Sequence, residues 1–238
     1  MNQLLSVNKC KLNKLFRNVT IIGVFFLLLF VFGRDVKLDS KQTIPWQFLE
    51  PNLFLSNWSS QNTELDNLEL VILKLEKGHW TFSVDHFSAT AEKKRKSSKD
   101  WLTDSSAKIV INAGQYDEEF NHLGWLLKNG KNLGSRLHPF WKGLLVNNQP
   151  GDQKYPVILD IESKSPELND FASNNAVQSM MLFDTRGLIR INKSDRKARR
   201  CVVATCVDSH LYIILTSGEV TLWDLARELQ QHPVRFVQ

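Results

Sequence analysis

One corner of the sequence combines residue types that could do chemistry, and it follows an apolar run. Residues 109–111 read Ile-Val-Ile, and the run stops at Asn112, two residues before Gly114. A glycine there lets the backbone take a positive φ angle or lets a ligand approach closely, and the Asn112 amide could then bind that ligand. Carboxylates follow, of which Asp117 is the first, with His122 nearby; such groups serve in proton transfer. The alternative is a strand that ends in a turn, followed by solvated acids.

The sequence has no spacing typical of a metal centre or a bound cofactor. Its six histidines show neither an HxH nor an HExxH pattern, and there is no Walker-type glycine loop and no GxSxG elbow. Cys201 and Cys206 are five residues apart on one predicted strand, so their side chains should point to opposite faces. We therefore expect no metal ion, no cofactor, and two small, buried cysteines without a bond between them.

The charge distribution gives little support to a nucleic-acid partner. The net charge is +5, and much of the excess lies in the first 17 residues. The basic run at residues 91–102 has no aromatic residues interleaved with its basic ones, which favours a solvated loop entering a short helix near residues 99–102. We expect no nucleic acid among the partners.

An apolar run at residues 19–33 follows four basic residues that meet no acid. This pattern is typical of a signal peptide or a signal anchor. The run is shorter than the roughly 20 residues of a free-standing span, but only Gly33 offers a small residue for cleavage, and we favour an uncleaved transmembrane anchor. A basic flank stays in the cytoplasm. We predict a single-pass membrane protein with residues 1–18 cytoplasmic, residues 34–66 as a stalk, and residues 67–238 as a periplasmic or extracellular domain.

Most of the chain after residue 67 consists of short strand-like runs separated by Gly, Asn, Asp or Pro. Two of them, residues 68–76 and 79–87, could form a hairpin, and Asn129-Gly130 is a strong turn signal. One clear helix lies near the end, where Thr221 can cap a segment with an apolar stripe. That stripe, which we expect to pack on the sheet, consists of Leu222, Leu225, Ala226 and Leu229. The pattern predicts an α+β fold: a strand-rich mixed-sheet domain with few helices, preceded by one transmembrane helix.

Three segments in order resemble the phosphodiester glycosidase family. "VINAGQYDEEFNHLGWLLKNG" resembles its Asn-Ala-Gly-aromatic-aromatic-Asp signature and the strand after it. "NAVQSMMLFDTRGLIR" is similar to its Gln-Ser-x-Pro-x-Leu strand, and "RRCVVATCVDSHLYIILTSGEVTLWDLARELQQ" to its Arg-Thr-Ala segment with the helix that follows. The resemblance implies a hydrolase that acts on a sugar phosphodiester, here of an exported or cell-surface glycan such as an exopolysaccharide.

The resemblance also assigns site residues. It implies that Asn112 and Gly114 form a substrate-binding corner, that Gln178 binds sugar hydroxyls or phosphate, and that Asp117 takes part in proton transfer. Arg200 matches an arginine of the family, and a guanidinium fork fits two phosphate oxygens; Arg199 is the alternative if the register shifts by one.

The sequence departs from the family pattern in several places. Gln115 and Tyr116 replace an aromatic pair, Met181 stands where proline is typical, and Ala204 stands where glycine is typical. The family's Asp-Gly-Gly-x-Ser loop is absent, and the sequence contains no Asp-Gly-Gly. We therefore expect a C-terminally incomplete domain with little activity, and the alternative is a catalytically inactive domain or glycan-binding module.

Overall fold

The computed structural model describes residues 3–9, 44–62, 65, 68–147, 155–162 and 174–236. The predicted anchor at residues 19–33 lies outside these ranges. Within them, no helix is both long and apolar enough to cross a membrane. The strands are β1 (Gln3–Lys9), β2 (Gln47–Glu50), β3 (Leu53–Ser59), β4 (Glu69–Leu75), β5 (Trp80–His86), β6 (Ile109–Asn112), β7 (Leu126–Lys128), β8 (Lys131–Asn132), β9 (Gly143–Asn147), β10 (Pro156–Asp160), β11 (Asn175–Ser179), β12 (Cys201–Thr205) and β13 (Leu211–Thr216), and the α-helices are α1 (Ser98–Asp104) and α2 (Leu222–Gln231).

The strands form three sheets among the described residues. Their orders are β5-β1-β6, β10-β9-β11-β7-β8 and β12-β13-β4-β3-β2. Every pair of neighbouring strands in these sheets is antiparallel. The predicted strand-rich fold with few helices is confirmed.

Two parts of the predicted organisation look different in three dimensions. Strands β2 and β3 lie within the region assigned to the stalk, so the third sheet starts before residue 67. Strand β1 lies within the predicted cytoplasmic tail and pairs with β5 and β6.

The predicted hairpin of residues 68–76 with 79–87 is wrong. Strand β4 lies between β13 and β3 in the third sheet, whereas β5 lies in the first. Leu70 and Ile72 on one face of β4 and Leu75 on the other are all at most 1% exposed, so β4 is buried on both faces. A strand buried on both faces needs neighbours on both edges, and the more distant β3 and β13 supply them.

The local signals for turns and helices were reliable. Asn129 and Gly130 both have positive φ angles, 50° and 79°, and join β7 to β8 in a two-residue turn. Helix α1 confirms the predicted short helix and begins with a capping box between Ser97 and Asp100.

Helix α2 covers one face of the third sheet. Thr221 caps it by accepting a hydrogen bond from the Asp224 N–H. Leu225, Ala226 and Leu229 are fully buried and pack in one cluster with Ile214 of β13. The predicted packing of this stripe is confirmed for these three residues, whereas Leu222 is only half-buried, at the rim of a cavity.

The opposite face of the third sheet forms the main core with the other two sheets. Leu75 of β4 and Ile213 of β13 pack there with residues of the first and second sheets. Burying large apolar side chains of this kind stabilises a fold by about 1.5–3 kcal/mol each. The cluster includes Trp80, Phe82, Val84, Ile111, Ala113, Leu126, Leu145 and Val177. It brings the ends of β6 and β11 close to β12.

Candidate functional site

A cavity of about 230 Å³ lies where the ends of β6 and β11 meet β12. Strands β9 and β10 and the start of α2 complete its wall. The lining residues include Asn112, Gly114, Gln115, Ile158, Ser179, Met181, Phe183, Arg199, Arg200, Cys201, Val203 and Leu222. Three of the five residues predicted for the site, namely Asn112, Gly114 and Arg200, are therefore brought together.

The corner after β6 has a conformation that requires glycine. Gly114 has a φ angle of 148°, and its N–H donates to Oδ1 of Asn112 at 3.3 Å. A Cβ atom added at Gly114 would lie 2.9 Å from Nε2 of His122. Packing against His122 thus fixes a bare stretch of backbone at the cavity wall, where a ligand could approach it.

His122 lies behind this corner and is fully buried. Burial lowers the pKa of His122 to about 4, so the ring is neutral near pH 7. Its Nδ1 accepts a hydrogen bond from the Gly124 N–H, and its Nε2 has no hydrogen-bond partner. The sequence placed His122 near the acids, but it gave no sign that the ring supports Gly114 from behind.

Gln178 points away from the cavity. Its side chain is fully buried, and Oε1 accepts hydrogen bonds from the N–H groups of Trp125 at 3.2 Å and His138 at 2.8 Å. Its Nε2 donates to the carbonyls of His138 at 2.9 Å and Trp141 at 2.8 Å. Two lone pairs and two N–H groups are thus used within the chain. The geometry favours a positioning role for Gln178, which holds the loop between β8 and β9.

Ser179 of β11 lines the cavity together with Val177, and the sequence analysis missed this serine. Adjacent residues of a strand point to opposite sides. Val177 and Ser179, which flank the buried Gln178, share the face that lines the cavity. The alternation of this strand could therefore have indicated Ser179 as a site residue.

Arg200 lines the cavity at the start of β12. Its backbone N–H donates to Oγ1 of Thr216 at 2.8 Å, which fixes the position of the residue in the sheet. Its Nε donates to the Val220 carbonyl at 3.2 Å and its Nη2 to the Arg196 carbonyl at 2.8 Å. These two bonds use two of the five guanidinium N–H groups. The others can serve an anion.

The surroundings of Arg200 are positively charged. Burial and then the nearby Arg196 lower the pKa of Arg200 below its usual range, although an arginine stays charged in proteins. Arg199, the predicted alternative, also lines the cavity and is exposed. No salt bridge within the described part of the chain involves any of these three arginines. An anion would supply the missing countercharge.

Asp117 is not among the residues that line the cavity. Its carboxylate accepts hydrogen bonds from the backbone N–H of Asn121 at 2.8 Å and from the Asn121 side chain at 3.1 Å. Desolvation raises the pKa of Asp117, but the hydrogen bonds from Asn121 and from the Glu119 and Phe120 backbones outweigh it, so the pKa is lowered. An ionised Asp117 could accept a proton or stabilise positive charge, but it is a poor proton donor at neutral pH.

The described wall of the cavity carries arginine but no acid. Among the described residues that line it there is no Asp, Glu or His. No group of three or more potential metal ligands occurs in the described ranges. The lining combines arginine, amide and hydroxyl groups with the apolar side chains of Ile158, Met181 and Val203.

The two cysteines differ from the expectation in one respect. Both are free, and Cys206 is buried, but Cys201 is exposed at the cavity. Cys201 is the first residue of β12, which lies at the edge of its sheet, whereas Cys206 follows the end of that strand and packs in the cluster with α2. The prediction that both thiols are buried is therefore wrong.

Comparisons with known proteins support the fold alone. No protein-family model matches the sequence, and a search of curated proteins found no match. The structure is similar to the catalytic domain of zebrafish N-acetylglucosamine-1-phosphodiester alpha-N-acetylglucosaminidase, solved in a form auto-inhibited by its pro-peptide. The TM-score is 0.51 with 13% sequence identity, and the match covers 79% of this chain and 70% of the zebrafish chain. The chain therefore has a phosphodiester glycosidase-like fold.

Proposed function

We propose that this chain is a phosphodiester glycosidase-like protein that binds a sugar phosphodiester in the cavity between β6, β11 and β12. The observation that carries the proposal is Arg200, which lines the cavity, uses two of its guanidinium N–H groups in hydrogen bonds, and forms no salt bridge with a carboxylate of the described residues. The fold likeness supports the class of ligand, because the zebrafish protein is named for a sugar phosphodiester.

The phosphate and the sugar of such a ligand can bind to different parts of the cavity wall. A phosphodiester carries one negative charge, which the guanidinium of Arg200 can bind through two parallel N–H···O bonds. The bare backbone at Gly114 and the amide of Asn112 lie on the same cavity and can bind sugar or phosphate oxygens. Apolar neighbours such as Ile158 and Val203 exclude water, which strengthens these charge-assisted bonds.

Binding is better supported by the geometry than hydrolysis. Glycosidic cleavage usually needs one carboxylic acid to protonate the leaving group and a second carboxylate as nucleophile or base. The described wall of the cavity has no carboxylate, and Asp117 lies outside it. Hydrolysis is the second candidate function, and the fold likeness favours it. In that case Asp117 in its ionised form would take the role of base.

The test is calorimetric titration of the full chain with the methyl phosphodiester of N-acetylglucosamine 1-phosphate. We expect binding that is weakened in Arg200→Ala and partly restored in Arg200→Lys, because lysine keeps the charge but loses the planar fork. Arg227→Ala is the matched control, since Arg227 is an exposed arginine on α2 outside the cavity. Equal binding by wild type and Arg200→Ala would refute the proposed site.

Release of free sugar from the same ligand decides between the two functions. If the chain hydrolyses it, Asp117→Asn should abolish release without abolishing binding. If release stays at the background rate while binding depends on Arg200, the chain is a binding module.

We also propose that the ligand belongs to an exported or cell-surface glycan. The support is the predicted anchor at residues 19–33 with its basic flank. A reporter fused after Gln238 that is active only outside the cytoplasm would agree with this placement, and one active only in the cytoplasm would refute it.

A further inference from the structure

The first sheet has an unusual strand order, because its central strand β1 is far in sequence from the two strands that flank it. Strand β1 pairs with β5 over seven residues, from Gln3 opposite His86 to Lys9 opposite Trp80. On its other side it pairs with β6 over four residues, from Leu4 opposite Asn112 to Val7 opposite Ile109. Strands β5 and β6 do not pair with each other. Since neighbouring strands lie about 4.8 Å apart, they flank a gap that is one strand wide.

Strands β5 and β6, the two walls of this gap, are packed into the core of the domain. Trp80, Phe82 and Val84 of β5 are at most 2% exposed, and Ile111 of β6 is 7% exposed. They all pack in the main core with residues of the second and third sheets. Without a strand between them, each wall would present a row of unpaired backbone N–H and C=O groups, which is the arrangement that binds an added strand.

We propose that the gap between β5 and β6 is a strand-acceptor groove and that its occupant is the chain's own segment Gln3–Lys9. The segment reaches the groove through residues 10–43, which separate it in sequence from the rest of the domain. Occupancy gives the backbone of β5 and β6 hydrogen-bond partners along both walls.

Occupancy of the groove and a single membrane crossing exclude each other. The predicted span at residues 19–33 lies between β1 and the strands it pairs with. If that span crossed a membrane once, Gln3–Lys9 and β5 would lie on opposite sides and could not share a sheet. The filled groove and the anchored form proposed above are therefore alternative states. The groove holds Gln3–Lys9 only in molecules whose residues 19–33 do not cross a membrane as a single span, and it lacks this segment in anchored molecules.

Occupancy of the groove by Gln3–Lys9 also affects the candidate site. Leu4 lies opposite Asn112, which is the last residue of β6 and the first of the cavity corner. Pairing of Gln3–Lys9 with β6 holds the backbone at this end of β6 in place. Occupancy of the groove is therefore coupled to the conformation of the corner at Asn112 and Gly114.

Disulfide trapping in the full chain tests the groove. Ser6 lies opposite Ser83 on β5 and opposite Val110 on β6. Opposed residues of an antiparallel pair have Cα atoms about 4.5–5.5 Å apart, within the range of a disulfide. Two variants, Ser6→Cys with Ser83→Cys and Ser6→Cys with Val110→Cys, are made in a background where Cys10, Cys201 and Cys206 are changed to serine.

The matched control is Ser6→Cys with Thr81→Cys. Thr81 is the partner of Asn8, two residues out of register with Ser6, so its Cα lies about 8 Å from that of Ser6, beyond disulfide reach. We expect at least fivefold more cross-link in both register pairs than in the control, and we expect cross-linked molecules to be extracted from membranes by alkaline carbonate. Equal cross-linking in all three variants, or cross-linked molecules that resist extraction, would overturn the proposal.

Hydrogen exchange of the unmodified chain gives a test that does not depend on the cysteine background. Amides of Gln3–Lys9 should exchange at least tenfold more slowly than an unstructured peptide of that sequence. Ser6→Pro, which removes a backbone donor from a central strand, should remove this protection, and Ser6→Thr should keep it. Exchange of the segment at the unstructured rate in the wild type would overturn the proposal.

Discussion

Replacing Gln178 by alanine separates a positioning role from the substrate-binding role that the sequence suggested. The variant removes four hydrogen bonds, with lengths between 2.8 and 3.2 Å, that join β11 to Trp125 and to the loop carrying His138 and Trp141. Two of the abandoned groups, the Trp125 N–H and the Trp141 carbonyl, belong to fully buried interactions. Water can reach the groups on His138 more easily, because that residue is half-buried.

The magnitude follows from these partners. Each buried backbone group left without a partner costs about 1–3 kcal/mol, and the two deepest ones together cost about 2–6 kcal/mol by the same measure. We expect Gln178→Ala to lower the free energy of unfolding by about 3–5 kcal/mol, a large part of the roughly 5–15 kcal/mol of a typical domain. Urea denaturation followed by tryptophan fluorescence measures this, with Ser179→Ala as the control for a neighbour that faces the cavity.

The opposite pattern would refute the reasoning. If Gln178 binds the ligand directly, Gln178→Ala should weaken phosphodiester binding at least tenfold while it changes the free energy of unfolding by less than about 1 kcal/mol. Gln178→Glu adds a further check. A carboxylate oxygen in place of Nε2 would face the carbonyls of His138 and Trp141, so this variant should also be destabilised although its shape is nearly unchanged.

The remaining predictions concern the cavity and its support. Arg200→Ala should weaken phosphodiester binding in calorimetry by about 10- to 100-fold, since hydrogen bonds to charged groups contribute about 1.5–3 kcal/mol; an unchanged dissociation constant would contradict this. Gly114→Ala should lower the free energy of unfolding in urea by about 1–3 kcal/mol, because Gly114 has a φ angle of 148° and its Cβ would meet His122; Gly78→Ala, with a φ of 82° but open space, is the control for strain without contact. Burial lowers the pKa values of His122 and His232 from 6.5 to about 4, so the unfolded chain binds more protons between these pH values, and the free energy of unfolding should fall as the pH decreases from 6.5 to 4. The loss is up to about 3 kcal/mol per histidine. Urea midpoints at pH 7 and 4.5 should therefore fall less steeply for His232→Gln than for the wild type, and equal changes in the two proteins would show that folding does not lower the pKa of His232.

The sequence by itself determined the features that depend on a few neighbouring residues. Asn129-Gly130 forms the expected turn because both residues adopt positive φ angles with little strain. Thr221 begins the last helix because its hydroxyl accepts the N–H of Asp224, and the spacing of Leu225 and Leu229 defines the buried side of that helix. The short alternating runs likewise predicted a strand-rich fold.

The candidate site was predictable in part. The residues that line the cavity could be named from the sequence only where their position, and not the direction of their side chain, decided the role. Asn112, Gly114 and Arg200 were found because a strand end, a glycine and an arginine at a strand start are visible in one dimension, and the fold gathers them around one cavity. Gln178 lies near the end of β11, but its side chain points away from the cavity, and the neighbouring Ser179 lines the cavity instead. The sequence shows that a strand alternates but leaves open which of its two faces lines a site.

Only the tertiary structure decided which strands became neighbours and which charges were left without partners. Strand β4 pairs with β3 and β13 instead of the adjacent β5, because both its faces are buried and both its edges need hydrogen bonds. Asp117, only a few residues beyond Asn112, turns away into its own loop and binds Asn121. Arg200, nearly ninety residues away, lies on the cavity, whose described lining holds no carboxylate. Long-range pairing and the desolvation of charges depend on contacts between distant segments, which local patterns in a single sequence do not encode.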